Sequence, residues 1–283
     1  SDGPDAPTRT VDLFGPPRRT LVLRSVALER QDDELGTLVI IDDVTDRRRL
    51  EAVRRDFVAN ISHELKTPVG ALGLLAETLV AEDDPSVVRR LAERMLGEAL
   101  RVGRTIDDLL ELSRIETDDD TAREPVAVER FVSEAVDRVR GAADQQHITI
   151  AVDELPAGLT VAGDRRQLVS AIYNLLDNAV KYSEPGSSVH VGTRLDASWV
   201  EIAVQDHGVG IPRRDLERVF ERFYRVDPAR SRDTGGTGLG LAIVRHIAGN
   251  HAGEVRVESR EGEGSTFTLR LPVEPDGRSV GAD

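Results

Sequence analysis

An apolar stripe through residues 46–81 restricts the fold of this chain more than any other feature of the sequence. Its members recur at intervals of three, four or seven residues, at Leu50, Val53, Phe57, Ile61, Leu65, Leu72 and Leu79. Successive residues of an α-helix are rotated by about 100°, so these side chains share one face. The pattern predicts one helix from Asp46 to about Ala81. Such a length is unusual for a globular helix and calls for a partner along the apolar face.

A second amphipathic helix is predicted from Ser86 to about Glu116, after the helix-breaking stretch AEDDPS. Two long helices joined by a short turn make an antiparallel hairpin, and one hairpin alone leaves much apolar surface exposed. We therefore expect a homodimer in which two copies of residues 46–116 form a four-helix bundle. The alternative is that the hairpin packs on the downstream part of its own chain.

His63 lies on the polar side of the first helix, about 160° from the centre of the apolar stripe. Thr67 follows one turn later and shares the same face. Pro68 cannot donate a hydrogen bond to the carbonyl of Glu64, so we expect the helix to bend or loosen there. A lone histidine in such a position is usually no more than a solvated side chain, and only its sequence context can assign it a function.

Composition and charge exclude several classes of protein. The 283 residues suffice for two or three domains, and a formal net charge of −14 argues against nucleic-acid binding. The lack of cysteine excludes disulfides and thiolate metal sites. The arginines of 47–55 are expected to form a solvated helix flank, with a membrane-surface role as the alternative. No stretch is apolar over about 18 residues, so no segment is expected to span a bilayer.

Residues 1–45 are predicted to contain β-strands at 20–28 and 36–41, which are rich in β-branched and aliphatic residues. Two strands do not make a stable domain by themselves. Thr45 or Asp46 is expected to cap the helix that follows. The chain opens without a methionine, from which we expect it to be the cytoplasmic piece of a longer protein.

Helices and strands alternate beyond residue 125. Helices are predicted over 126–145, over 165–182 with Asp164 as its cap, and over LAIVRHIAGN. Strands are predicted at 148–152, 188–194, 199–205, 254–259 and 265–271. This pattern indicates an α/β sandwich with helices against one face of a mixed sheet. Residues 118–124 are polar, as in a linker, and the tail from 274 is expected to be disordered.

Three motifs of this region suit a nucleotide. Asn174, Asn178 and Lys181 share one face of the predicted helix, where amide oxygens suit Mg²⁺ and an ammonium group suits phosphate. Such a stripe alone is more often a solvated helix face. Asp206 ends a strand and can accept a hydrogen bond from an exocyclic amine, while Gly208 and Gly210 allow close approach of the backbone.

The third motif is glycine-rich, at residues 235–241, and opens a helix. A helix N-terminus offers free N–H groups and the positive end of a dipole to phosphate. The motif lacks the Gly-Lys-Ser/Thr of a P-loop and does not follow a strand with dinucleotide spacing, so neither of those folds fits. The three motifs together predict a site for a magnesium-bound adenine nucleotide.

Taken in order, the motifs resemble the boxes of sensor histidine kinases. HELKTP at 63–68 resembles the phosphoacceptor box, and the later motifs, with FERFYR at 220–225, resemble the N, G1, F and G2 boxes of the ATP-binding domain. The resemblance covers 46–272 and implies a multidomain chain. Separately, the stretch GTLVIIDDVTDRRRLE, in which Asp43 and Thr45 lead into a helix, resembles the last strand and exit of a PAS sensor domain. The expected parts are the C-terminal part of a PAS-like sensor domain at 1–45, a dimerisation and phosphotransfer domain at 46–117, a linker at 118–124, a catalytic domain of the Bergerat (GHKL) type at 125–273 and a disordered tail at 274–283.

The resemblance also implies residue roles. His63 would accept the phosphoryl group, Glu64 would take the proton of the other ring nitrogen, and Thr67 would orient a water in a phosphatase reaction. Mg²⁺ would be held by Asn174 and Asn178. ATP would be bound by Asn174, Asn178, Lys181, Tyr182, Asp206, Gly208, Gly210, Arg225, Gly236, Gly238, Leu239, Gly240 and Thr266. Two positions depart from the family pattern, His207 and Ala252, the latter where a glycine often stands.

Hydrolytic GHKL proteins place a glutamate four residues before the metal-binding asparagine to activate water, and Asn174 stands there in this chain. The sequence therefore favours phosphoryl transfer to His63 and onward to an aspartate of a separate response regulator, with phosphatase activity toward that regulator. The alternatives are a GHKL-type ATPase and a non-catalytic signalling scaffold. The family also implies a parent protein anchored in a bacterial inner membrane.

Overall fold

The structure, a computed structural model, describes residues 8–30, 33–117, 123–154, 158–227 and 236–273. The chain divides into two compact units, Ser1–Thr67 and Pro68–Asp283. The predicted tail at 274–283 and most of the predicted linker at 118–124 lie outside the described residues.

The first unit begins with a three-stranded antiparallel sheet of β1 (Thr8–Leu13), β2 (Arg19–Arg30) and β3 (Asp33–Asp43), in that order. The strands predicted at 20–28 and 36–41 are confirmed and are longer than predicted, whereas β1 was missed. Asp43 accepts hydrogen bonds from the backbone and hydroxyl of Thr45, the first residue of α1. The resemblance of this region to a PAS domain stays a prediction.

Two long helices follow, α1 (Thr45–Val80) and α2 (Pro85–Thr117), with residues 81–84 between them. Their predicted bounds are correct within one residue, because the apolar period is regular over many turns. Pro68 lies inside α1 and does not end it. The bend predicted at this proline stays a prediction.

The C-terminal end of α2 is buried, whereas apolar side chains are exposed along much of both helices. Leu112 and Ile115, near its C-terminal end, are buried, and this end packs on the helix Gly240–Asn250. The last turns of α2 therefore pack on the downstream domain, which was the alternative to packing in a dimeric bundle. Elsewhere on the two helices large apolar side chains are exposed: Val58, Val69, Leu74, Val80, Leu96, Leu100, Ile106 and Leu110.

An α/β sandwich occupies residues 124–273. Its sheet has the order β5 (Thr149–Val152), β7 (Ser188–Asp196), β8 (Trp199–Asp206), β10 (Gly264–Pro272) and β9 (Glu254–Arg260). Only the β5–β7 pair is parallel, so the sheet is mixed, as predicted. Two short strands, β4 (Glu124–Ala127) and β6 (Thr160–Gly163), pair separately and were not predicted.

Three helices cover one face of this sheet, α3 (Val128–Gln145), α4 (Arg165–Tyr182) and α5 (Gly240–Asn250). The predicted cap of α4 is confirmed, since the Asp164 carboxylate accepts from the N–H groups of Arg166 (2.6 Å) and Gln167 (3.3 Å). The core between helices and sheet consists of large side chains that are fully buried, among them Phe131, Leu168, Ile172, Leu175, Leu176, Ile202, Ile243, Ile247, Leu269 and Leu271.

His251 joins the end of α5 to the start of α4. Its Nδ1 lies 2.8 Å from the Ile247 carbonyl and its Nε2 lies 3.0 Å from the Asp164 N–H, so the neutral ring donates through Nδ1 and accepts through Nε2. The ring is 5% exposed, and this burial lowers its pKa below the usual value. A protonated ring could not accept from Asp164, so this junction requires the neutral form.

Candidate functional site

A cavity of about 1010 Å³ opens beside α4, between the ends of β8 and β10 and the start of α5. Its lining includes ten of the thirteen residues predicted to bind the nucleotide: Asn174, Asn178, Lys181, Tyr182, Asp206, Gly210, Arg225, Gly236, Gly238 and Gly240. The fold thus brings together motifs that are up to 66 residues apart in the sequence, from Asn174 to Gly240. Gly208, Leu239 and Thr266 are not part of the lining.

The polar stripe of α4 faces the cavity because the opposite face of that helix is buried in the core. The Nδ2 of Asn174 donates to the Ser170 carbonyl at 3.0 Å and lies 3.3 Å from its hydroxyl oxygen. The amide oxygen of Asn174 lies against the first residue of α5, where a Cβ added to Gly240 would be 2.7 Å away. Asn178 follows one turn later and also lines the cavity. Two amide oxygens on one helix face are suitable Mg²⁺ ligands.

Lys181 is paired within its own helix. Its ammonium group forms a short ion pair with the carboxylate of Asp177, one turn earlier, and both side chains are mostly buried at the cavity wall. A phosphate that engages Lys181 would have to compete with Asp177 for it. The i, i+4 spacing of the two residues is the signal in the sequence that could have identified Asp177 as the partner of Lys181.

Asp206, at the end of β8, is 5% exposed. Its Oδ1 accepts from the N–H groups of Gly208 (2.9 Å) and Ser265 (3.2 Å). Burial raises the pKa of this carboxyl, and the two hydrogen bonds oppose that rise. Because both bonds use Oδ1, Oδ2 is the oxygen available to accept from a ligand in the cavity. A fixed acceptor of this kind suits the exocyclic amine of adenine.

The glycines after Asp206 make room for other parts of the protein. A Cβ at Gly208 would lie 2.2 Å from the Tyr182 carbonyl oxygen. Gly210 has a φ of +67°, and a Cβ there would lie 1.9 Å from the Arg260 carbonyl oxygen. The sequence predicted close approach of the backbone to a base, but the structure shows close approach of one backbone to another. Gly208 therefore shapes the wall without lining it.

The glycine-rich turn before α5 is anchored at residues 237–239. Gly238, with a φ of +73°, accepts a hydrogen bond from the Phe223 N–H at 2.8 Å. Leu239 is fully buried, so it anchors the turn and does not line the cavity. The hydroxyl of Thr237 accepts from the Leu239 N–H at 3.2 Å. This anchoring places the N-terminus of α5 at the cavity; Gly235, predicted as part of the motif, lies outside the described residues.

Ser265 of β10 lines the cavity beside Asp206, and the adenine-supporting role expected of Thr266 stays a prediction. Successive residues of a strand point to opposite faces. In β10, Ser265 and Phe267 are buried and line the cavity, whereas Thr266 lies between them and belongs to the lining of a separate shallow depression. The backbone hydrogen bond from Ser265 to Asp206 makes Ser265 the residue of this strand that supports the carboxylate.

The predicted phosphoacceptor region lies on α1. His63 is exposed, as predicted from its position opposite the apolar stripe. Thr67 is also exposed, and its hydroxyl donates to the His63 carbonyl at 3.2 Å. Glu64 is half-buried and Pro68 is buried. An exposed imidazole is accessible to a reaction partner. The catalytic roles of His63, Glu64 and Thr67 stay predictions.

Two protein-family models match the chain. The His Kinase A (phospho-acceptor) domain matches residues 53–118, and the "Histidine kinase-, DNA gyrase B-, and HSP90-like ATPase" matches residues 163–275. The first match contains the exposed histidine, and the second contains the ten predicted nucleotide-binding residues that line the cavity. Among the described residues, we find no helix with the length and apolarity needed to cross a membrane.

Several curated proteins align over most of the chain. The sensor-like histidine kinase SenX3 of Mycolicibacterium smegmatis is 52% identical over 256 residues, which are 90% of this chain and 66% of SenX3. The phosphate regulon sensor protein PhoR of Pseudomonas aeruginosa is 38% identical over 83% of this chain and 53% of PhoR. The chain spans about three fifths of the length of the mycobacterial SenX3 proteins.

A solved structure of the histidine kinase ThkA in complex with the response regulator TrrA has a TM-score of 0.65 and 20% identity, covering 96% of this chain and 79% of ThkA. At this identity the likeness concerns the fold alone. It agrees with the observed order of a helical hairpin and an α/β sandwich. The family models, the sequence relatives and the fold lead to one conclusion: the chain belongs to the sensor histidine kinases of two-component systems.

Proposed function

We propose that this chain transfers the γ-phosphoryl group of Mg·ATP to His63 and then passes it to an aspartate of a separate response regulator. One observation carries the proposal. A single cavity holds a buried carboxylate, two asparagine amides, a lysine and a helix N-terminus, in a chain whose other matched domain exposes a histidine. Each of these groups suits a different part of Mg·ATP.

ATP would be held at two ends. Asp206 Oδ2 would accept from the adenine amine, with Oδ1 fixed by Gly208 and Ser265. The N–H groups at the start of α5 would bind phosphate oxygens. Lys181 and Arg225, which both line the cavity, would add positive charge near the phosphates, and Tyr182 would lie near the base.

Mg²⁺ fits the polar stripe of α4, because that stripe supplies neutral amide oxygens on one helix face. Asn174 and Asn178 would hold the ion, and the hydrogen bond from Asn174 Nδ2 to Ser170 leaves the amide oxygen as the ligand atom. Bound Mg²⁺ would neutralise part of the phosphate charge. No glutamate stands at position 174 to activate water, so the stripe favours transfer to a side chain over hydrolysis.

The transfer itself needs a nucleophile and a proton acceptor. One ring nitrogen of His63 would form the bond to the γ-phosphorus while the bond from phosphorus to the oxygen of ADP breaks. The proton on the other ring nitrogen would pass to Glu64. Positioned proton transfer of this kind contributes roughly 10²–10⁴-fold to rate.

We also propose that the chain forms a homodimer through residues 46–116. The support is the set of apolar side chains exposed on α1 and α2, for example Leu74 at 66% and Leu96 at 61%. Burying such side chains against a partner helix stabilises by about 1.5–3 kcal/mol each. Sedimentation equilibrium should give twice the chain mass, and Leu74→Glu combined with Leu96→Glu should shift the protein toward monomer.

Labelling with γ-labelled ATP and Mg²⁺ tests the kinase proposal. Acid-labile label should attach to the chain, disappear in His63→Gln and persist in His190→Gln, a control at another partly exposed histidine. Sustained phosphate release without labelled protein would instead support a GHKL-type ATPase. Absence of both label and release would leave the signalling scaffold.

Phosphatase activity toward the regulator is part of the proposal, with Thr67 orienting the attacking water. In the structure the Thr67 hydroxyl donates to a backbone carbonyl, so an oxygen lone pair is free to accept from a water. Thr67→Ala should reduce release of phosphate from the phosphorylated regulator and spare autophosphorylation. Equal loss of both activities would refute the role.

We further propose that the parent protein is membrane-anchored, because the matched sensor kinases extend well beyond the aligned part. Fractionation of cells that express the full-length protein tests this: it should be recovered with the membranes and released by detergent but not by salt. Recovery in the soluble fraction would contradict it.

A further inference from the structure

The last turns of α2 bring a carboxylate into the cavity. Asp108 lines the cavity together with Arg104, Asp107 and Glu111 of the same helix. Its Oδ2 accepts a hydrogen bond of 2.6 Å from the hydroxyl of Thr237. Thr237 belongs to the turn that leads into the N-terminus of α5, the part of the cavity best suited to phosphate. An anion of the protein therefore lies where an anion of the ligand is expected.

The electrostatic surroundings of Asp108 also place its carboxylate in the phosphate part of the cavity. Lys181 acts on Asp108 electrostatically and lowers its pKa, as does the hydrogen bond from Thr237. Burial outweighs both and raises the pKa of Asp108 above its usual value, with Glu111 and Asp177 adding to the rise. Asp108 thus interacts with Lys181 and with Thr237, two groups of the cavity that suit a phosphate.

Further contacts hold this end of α2 in place. Arg222 forms an ion pair with Glu116, and Asn250 Nδ2 donates to the Ile115 carbonyl at 3.0 Å. Leu112 and Ile115 are buried on the same side. Asp108 is therefore fixed by a packed helix end and not by a single flexible side chain.

We propose that Asp108 is an intramolecular surrogate for a nucleotide phosphate, which occupies the phosphate part of the cavity and lowers the affinity for triphosphate. The inference rests on the proposed function, since it concerns the regulation of that same site. Two anions cannot share Thr237 and Lys181 without strong repulsion. Binding of Mg·ATP would displace Asp108, so any signal that moves the end of α2 would change the affinity for ATP.

Isothermal titration of the whole chain can measure this competition. The ligands are the β,γ-imido analogue of ATP with Mg²⁺ and, separately, adenosine, which has no phosphate. Asp108→Asn keeps the size of the side chain and can still accept from Thr237, so it removes only the charge. The variant should bind the triphosphate analogue on the order of tenfold more tightly and adenosine with unchanged affinity.

Asp107→Asn is the matched control. It removes the same charge from the same helix at the neighbouring position and leaves the Asp108–Thr237 hydrogen bond in place. Its gain in triphosphate affinity should be about threefold or less, since it acts only through longer-range electrostatics. Asp108→Ser, which removes the carboxylate altogether, should repeat the gain of Asp108→Asn.

Three results would overturn the inference: unchanged or weaker triphosphate binding in both Asp108 variants, an equal gain for adenosine, or an equal gain in Asp107→Asn. The melting curve of Trp199 fluorescence shows that each variant is folded. Failure of the proposed function would be a separate result. A wild-type chain could bind the analogue and acquire no label on His63, and the competition between Asp108 and the triphosphate would still be measurable.

Discussion

Ala252→Gly should stabilise the α/β domain, because Ala252 has a backbone conformation that suits glycine. Its φ is +52°. It follows α5 and forms a Schellman motif, in which Ala252 N–H donates to the Gly249 carbonyl (3.0 Å) and Gly253 N–H donates to the Ala248 carbonyl (2.8 Å). This explains the departure noted in the sequence: the position where the family often has glycine is the left-handed residue of a helix end.

The magnitude follows from two opposing effects. An L-residue in the left-handed region costs about 1–2 kcal/mol, and glycine does not bear this cost. Glycine in turn loses about 0.4–1 kcal/mol through the greater entropy of the unfolded chain. The net gain is about 0.5–1 kcal/mol. For a domain of roughly 150 residues that corresponds to a rise in Tm of about 1–4 °C.

Trp199, the single tryptophan of the chain, lies in β8 and makes fluorescence a local probe of this domain. Urea unfolding should show a higher midpoint for Ala252→Gly with an unchanged slope. Ala142→Gly, at an exposed position within α3, is the control and should lower the midpoint, because glycine weakens a helix by about 0.5–1 kcal/mol. If both substitutions lower the midpoint, the assignment of conformational cost to Ala252 is refuted.

Three further outcomes follow from the site and its supports. The lowered pKa of His251 means that the folded state favours the neutral ring. The stability that His251 contributes is therefore complete above about pH 6.5 and declines as pH falls through the lowered pKa. The urea midpoint should drop on acidification in the wild type and less so in His251→Gln. Gly240→Ala should displace Asn174 and weaken binding of Mg·ATP on the order of tenfold, while Gly249→Ala, in the same helix with open space around it, should leave binding unchanged; titration with the imido analogue distinguishes them. Asp206→Asn should reduce adenine-nucleotide binding at least tenfold, since an amide N–H would face the adenine amine, without lowering the urea midpoint, because the buried charge is removed; retained ATP affinity would contradict the role of Asp206.

Long periodic elements could be predicted from the sequence alone. The bounds of α1 and α2 were right within one residue, and the start and cap of α4 were identified from Asp164. The strands β1, β4 and β6 were missed. Both β4 and β6 have only four residues and pair with each other across more than thirty positions of chain, so no local pattern marks them.

The candidate site shows the same division. Its motifs were recognisable because metal and phosphate binding demand particular residue types at fixed local spacing, as with Asn174, Asn178 and Lys181. The role predicted for Thr266 stays a prediction. In the structure Ser265, one position earlier and therefore on the opposite face of the strand, lines the cavity. Only the register of β10 against β8 shows that Ser265 supports Asp206.

The sequence by itself determined the long helices, the family and the chemistry that the cavity can accommodate, because helical periodicity and motif spacing act over a few turns of chain. The tertiary structure alone decided that Asp108 reaches Thr237, 129 residues away, and that Ala252 takes a left-handed conformation. Contacts of this range depend on how helices pack and where each one ends. Those outcomes are set by the whole core and not by any neighbourhood of the sequence.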